Sequence, residues 1–193
     1  MDGRMGRWDE SPHQLLMHTV SIDEAVSVAR CGDIIILFDN GDKTEVDGIG
    51  WFIHGDSILH ACLAIDSLGR VVSATGDGVD VCGLVEIARE DARAVVRRPR
   101  TEPINRVMMV TAALRRINSP YGRGPRGQNI LSVLLKALLS WWRKSDPKDR
   151  ISCVGLISAA AASARVDIGI HNKIGPATPA DLLFSDSLDT VFP

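Results

Sequence analysis

The chain has 193 residues, 45% of them hydrophobic and 24% charged, with a formal net charge of −2. This suits one globular domain with a sizeable core and gives no electrostatic case for nucleic acid as a partner. The four cysteines, at 31, 62, 82 and 153, have no CxxC spacing and are too sparse for a disulfide scaffold, so they read as reduced thiols.

Residues 1–20 lack the apolar core of a signal peptide and read as a loosely ordered extension, so a cytoplasmic location is expected. Residues 21–193 read as a single α+β domain. Ser21-Ile22-Asp23-Glu24 predicts a helix start, with serine as N-cap and acids in the first turn, running to about Arg30 and stopping at Gly32. The branched run Asp33-Ile34-Ile35-Ile36-Leu37-Phe38 predicts a buried strand. Asp39-Asn40-Gly41-Asp42 is turn chemistry, and residues 43–55 read as a glycine-dotted loop able to border a site. Strands are predicted over 57–65, 70–75, 79–81, 83–87 and 94–98, with turns at 66–69 and 76–78, before Pro99 ends the sheet. Arg93, Arg97, Arg98 and Arg100, offset by Glu86, Glu90, Asp91 and Glu102, read as a solvated surface.

The second half turns helical. Residues 103–117 carry apolar positions at helical spacing, and 118–127 form a loop full of breakers. Residues 129–143 predict an apolar helix. Its core, 130–142, is interrupted by Lys136 and falls short of the ~20 residues a membrane span needs. Within it, the adjacent Trp141 and Trp142 cannot both face one side, which leaves one for a partner, a lipid surface or a second subunit. Residues 153–165 predict a further helix, and Thr178-Pro179 starts a short last one. Strands in one block with helices around them make an α+β fold.

Cys153 opens the 153–165 helix. A cysteine in a first helical turn meets the positive end of the dipole and outward-facing N–H groups, which favour thiolate. His60 lies far upstream on a predicted strand. A helix-borne cysteine and a strand-borne histidine are the two parts of a cysteine hydrolase. Set against this, a lone cysteine among small apolar residues is usually a core residue.

The order of signals resembles the NlpC/P60 superfamily of papain-like cysteine hydrolases, specifically its circularly permuted YiiX/YebB/YaeF-like branch related to lecithin:retinol acyltransferase. In that branch the histidine strand precedes the cysteine helix. Gly32-Asp33 with the apolar run to Phe38 resembles its opening strand, and Leu59-His60-Ala61-Cys62-Leu63 its histidine strand. Val71-Val72-Ser73-Ala74 followed by Gly78-Val79 resembles its next hairpin, and Arg98-Pro99 the strand ending in "R-P". Pro120-Tyr121-Gly122, Ser152-Cys153-Val154 and Thr178-Pro179-Ala180-Asp181-Leu182 resemble its later motifs. The match spans residues 30–190.

The resemblance implies a permuted papain-like fold, with barrel-like antiparallel strands packed against an active-site helix. It implies Cys153 as nucleophile and His60 as general base. Backbone N–H groups around Ser152 and Val154 would hold the oxyanion, and Tyr121 is a candidate to line the cleft. The family's third residue, usually glutamate, is Ser73 here. Serine can orient the ring but adds no charge, leaving open a site tuned differently or one that has lost the reaction. Thr75, on the same strand parity, and Asp77, in a turn, are the alternatives for this role.

No cofactor is expected. His60 and Cys62 share a strand face, and a zinc site with Cys82 or His54 lacks the usual short-spaced ligand pairs, so no metal is expected. Cys62 ranks below Cys153 as nucleophile because a strand lacks the helix-end field. Cys31 and Cys82 read as structural, and His13, His18, His54 and His171 as surface residues.

Three functions remain. One is a hydrolase of amide bonds in a peptide or peptidoglycan-type linkage; without an expected export signal, a cell-wall role calls for a phage- or lysis-associated route, or the substrate is intracellular. Another is a lipid-type acyl hydrolase or acyltransferase, and the last is an inactive binding module of the same fold.

Overall fold

The computed structural model describes residues 19–39, 52–53, 56–120, 151–170 and 177–193. In chain order these form β1 (Val20–Ser21), α1 (Ile22–Val28), β2 (Ile34–Asp39), β3 (Phe52–Ile53), β4 (Asp56–Ala64), β5 (Arg70–Thr75) and β6 (Gly78–Gly83). Then follow α2 (Leu84–Ile87), β7 (Arg93–Pro99), α3 (Pro103–Leu114), α4 (Cys153–Ala164), α5 (Pro179–Leu183) and β8 (Leu188–Val191). The strands make one antiparallel sheet in the order β1-β7-β2-β4-β5-β6, with β3 beside β4 and β8 beside β7. The α+β class expected from the sequence is the class observed.

The sheet is covered on both faces, and that explains the unbroken apolar run of β2. Ile34, Ile36 and Phe38 join one core with Ala61, Leu63, Val72, Ala74 and Val95, under α3, α4 and α5. Ile35 and Leu37 join the other with Cys62, Ala64, Val71, Ala94 and Val96, under α1 and α2. Strand alternation sends successive residues to these two cores.

Local chemistry sets the ends. Ser21 accepts from the Glu24 N–H while the Glu24 carboxylate takes the Ser21 N–H at 2.9 Å, so the predicted capping box forms. The backbone hydrogen bond from Ser21 also holds the Glu24 carboxyl below its ordinary value. Gly32 has φ +83°, and a Cβ there would lie 2.5 Å from Arg106 Cβ, so only glycine fits between β2 and α3. Asp33 is fully buried. It accepts from Arg30 N at 2.8 Å and from Arg98 Nε and Nη2 at 2.8 and 2.6 Å. That bond, the largest influence on Arg98, raises the pKa of its guanidinium.

Residues 52–53, expected in a loop, pair with β4 as β3, and three further sequence expectations change. Residues 83–87 are not a continuing strand: β6 ends at Gly83, and Glu86 turns back to accept the Gly83 N–H at 2.8 Å, starting α2. The arginine cluster is solvated only in part: Arg93 and Arg100 are exposed, but Arg97 and Arg98 are not. Arg98 is the partner of Asp33, and Arg97 is only 4% exposed, donating to the Ser185 and Leu188 carbonyls at 2.6 and 2.8 Å and to Thr190 Oγ1. The boundary at residue 20 also shifts, because Val20 pairs with Ala94 and is buried. Residues 1–18 and 121–150 lie outside the described residues, and with them the predicted 129–143 helix, Trp141, Trp142 and Tyr121. Among the described residues no helix is long and apolar enough to cross a membrane.

Asp33→Ala should strand the Arg98 guanidinium and the Arg30 N–H at the edge of the core. Since Arg98 retains some water access, the expected loss is about 3 kcal/mol, read as a lower urea midpoint at unchanged slope.

Candidate active site

Cys153 is the first residue of α4. Ser152 precedes it in extended conformation, and its Oγ accepts the Gly155 N–H at 3.0 Å. Ser152 is therefore the N-cap of the helix that carries the thiol. The N–H groups of Cys153 and Val154 point out of the helix end, as first-turn N–H groups do. The entry to α4 is tied to the sheet. Val79 and Asn118 exchange backbone bonds with Ser119 and Val79 at 3.0 and 2.9 Å, and Ile151 N reaches Pro120 O at 3.1 Å. Gly78, at φ +124°, makes room, since a Cβ would stand 2.8 Å from Ser119 O.

Cys153 is 7% exposed and packs in the core that contains Ala61, Leu63, Val72 and Ala74. Val154 is buried in the same core. The helix α4 lies across β4 and β5, the strands that carry His60 and Ser73. Ionisation of Cys153 would oppose that of Cys62, as a smaller cause than burial and Cys82, so Cys153 stands within electrostatic reach of β4.

His60 and Ser73 meet: Nε2 and Oγ are 2.6 Å apart, and Ser73 is 1% exposed. Of the three third-residue candidates, the histidine bonds to Ser73. Thr75 pairs with Gly78 at the end of the β5–β6 hairpin, and Asp77 is exposed in the turn. Burial pushes the imidazole down to about 4, so the ring is neutral at pH 7 and on this face resists protonation.

The structure does not put His60 on the face that α4 covers. His60 is registered opposite Leu37, and its alternate neighbours Cys62 and Ala64 belong with Leu37 to the core under α1. Ser73 alternates with Val71 onto this same face. Ala61 and Leu63, not His60, face α4. The β4 backbone thus separates the His60–Ser73 pair from the core in which Cys153 packs. Both β4 alternates are apolar on either side of His60, so the sequence carries no signal of which set faces α4. Nor does it mark the irregularity that resets the alternation, a register shift between Leu37 and Phe38.

Cys62 is fully buried, with Sγ 3.7 Å from Ile35 O, and burial raises its pKa strongly. Burial raises Cys31 and Cys82 as well. These three thiols sit where a structural role explains them. Among the described residues there is no group of three or more His, Cys, Asp or Glu side chains placed to hold a metal ion. No protein-family model matches the chain, and neither a curated protein nor a solved structure matches it significantly.

The depressed His60 pKa links stability to pH. In the unfolded chain the ring protonates near 6.5, and in the folded chain only near 4. Stability is therefore full above about 6.5 and falls as pH drops toward about 4, by roughly 3 kcal/mol at most from this one group. Urea midpoints at pH 7.5 and 4.5 should separate less in His60→Gln than in the parent chain.

Proposed function

We propose that the chain is a thiol hydrolase of the permuted NlpC/P60 type, cleaving an amide bond of a peptide or peptidoglycan-type substrate through a Cys153 acyl-enzyme. The observation that carries this reading is the position of Cys153 at the head of α4, with Ser152 capping the helix; the first-turn N–H groups of such a helix end are suited to an oxyanion. The family resemblance adds the order of histidine strand and cysteine helix, and α4 packs on those same strands.

In this reading His60 takes the thiol proton, and the thiolate attacks the carbonyl carbon. The two N–H groups stabilise the oxyanion, the imidazolium protonates the leaving amine, and water releases the acyl group. Proton transfer requires His60 and Cys153 on one side of β4. The described arrangement, with His60 held by Ser73, is then the resting state. Lipid-type acyl transfer uses the same groups on an ester. The inactive-module reading is favoured by one observation, the face on which His60 lies.

Turnover of peptide anilides, stem-peptide fragments and acyl esters separates these. Cys153→Ala should lower kcat on the true substrate at least about 10³-fold, while Cys31→Ser and Cys82→Ser retain it. Equal turnover by Cys153→Ala would refute the thiol mechanism, and ester-only turnover would move the assignment to acyl transfer. No turnover on any of these, with a Cys153 thiol as slow to alkylate as a free model thiol, would leave the inactive module.

A further inference from the structure

The β4 ladder is interrupted where His60 stands. Against β2 it runs Ile36↔Ala61 and Leu37↔His60, then steps to Phe38↔Ile58, so Leu59 is an extra residue. At such a bulge two successive residues oppose one partner and take its face, which is how bulges re-aim a side chain. His60 accordingly takes the face of Leu37. Moving the extra residue one position along β4 would make His60 and Ala61 the two residues opposite Ile36, with Leu59 opposite Leu37. His60 would then take the face of Ile36, which α4 covers.

Nothing else in the ladder has to change. Ile58 keeps Phe38 and Ala61 keeps Ile36. The β4–β5 pairs, Leu63↔Val72 and Ala64↔Val71, lie beyond the moving part. What opposes the move is the His60–Ser73 hydrogen bond of 2.6 Å, made on the face that His60 would leave.

We infer that the β4 bulge has two positions, that they set His60 on the Ser73 face or on the Cys153 face, and that Ser73 is a latch for the first. This rests on the reading of Cys153 as nucleophile. It adds a regulatory step, and it reverses the role expected of Ser73, which holds the histidine away from the thiol and does not align it for catalysis.

The test is alkylation of Cys153 by iodoacetamide at pH 7, followed on the Cys153 peptide by mass spectrometry. It compares the parent chain, Ser73→Ala, His60→Ala and the double variant. Loss of one hydrogen bond that favours the resting register should raise the rate in Ser73→Ala on the order of fivefold, and the double variant should fall back to His60→Ala. If Ser73→Ala leaves the rate unchanged or lowers it while His60→Ala lowers it, the latch is overturned and the dyad reading survives. If His60→Ala changes nothing in either background, both fail.

Should Ser73→Ala not fold, relaxation dispersion on the parent chain decides. Exchange confined to the amides of Leu37, Leu59 and His60 supports two bulge positions, and flat profiles there overturn them.

Discussion

A strand buried on both faces gives each side chain only two destinations. In this sheet one destination is the core under α3, α4 and α5, and the other is the core under α1 and α2. A residue between them cannot serve both, because the pleat turns it fully one way or the other. For β4 that constraint decides whether a histidine and a thiol belonging to neighbouring elements can exchange a proton. The strand backbone is the barrier, and the place where its alternation resets, at Leu59, is the only described point on β4 where the barrier has a soft spot.

The frame around that point is held rigidly by charges in apolar surroundings. Asp33 and Arg98 join the start of β2 to the end of β7, and Arg97 fastens β8 and the 185–188 turn to the same strand. Such groups are costly to bury unless fully bonded, and here the carboxylate accepts three hydrogen bonds from protein donors. The Gly32-Asp33 and Arg98-Pro99 motifs, distant in sequence, therefore meet as one structural unit. Packing alone accounts for both motifs.

Much of the fold was legible in the residues. Ser21 with Glu24, Thr178 with Pro179 and Asp181, and the branched run from Ile34 announced their elements because capping and β-branching act locally. The β5 strand from Arg70 to Thr75 matched its expected bounds because turn residues flank it on both sides. The misses were non-local. Residues 83–87 looked like strand until Glu86 capped a helix turn, and β8 was invisible because its pairing depends on β7, about 90 positions upstream. The buried arginines looked solvated because charge patterning in a sequence cannot report a carboxylate or carbonyl partner from another element. In the site, Ser73 was expected beside His60 only through the family resemblance, because strand parity left Ser73 and Thr75 equal, and the face of that pair relative to α4 was not legible at all. Ala61, Cys62, Leu63 and Ala64 are all small or apolar, so either parity would have satisfied the core.

The protonation state of His60 follows from the same geometry. On its present face the ring stands opposite Leu37, alternates with Cys62 along β4 and is bonded to a neutral hydroxyl, and burial pushes its pKa down to about 4. An imidazolium there would have no anion to offset its desolvation. Beside a thiolate the balance reverses, because an opposite charge at close range favours the cation and the cation in turn favours the thiolate. The position of the bulge and the transfer of the proton are therefore linked in the proposed enzyme. A serine at position 73, where the proposed family resemblance expects glutamate, fits that linkage. A carboxylate would stabilise the cation on the Ser73 face and hold it there charged, whereas a hydroxyl adds no charge to favour the cation and releases the ring at the cost of one hydrogen bond.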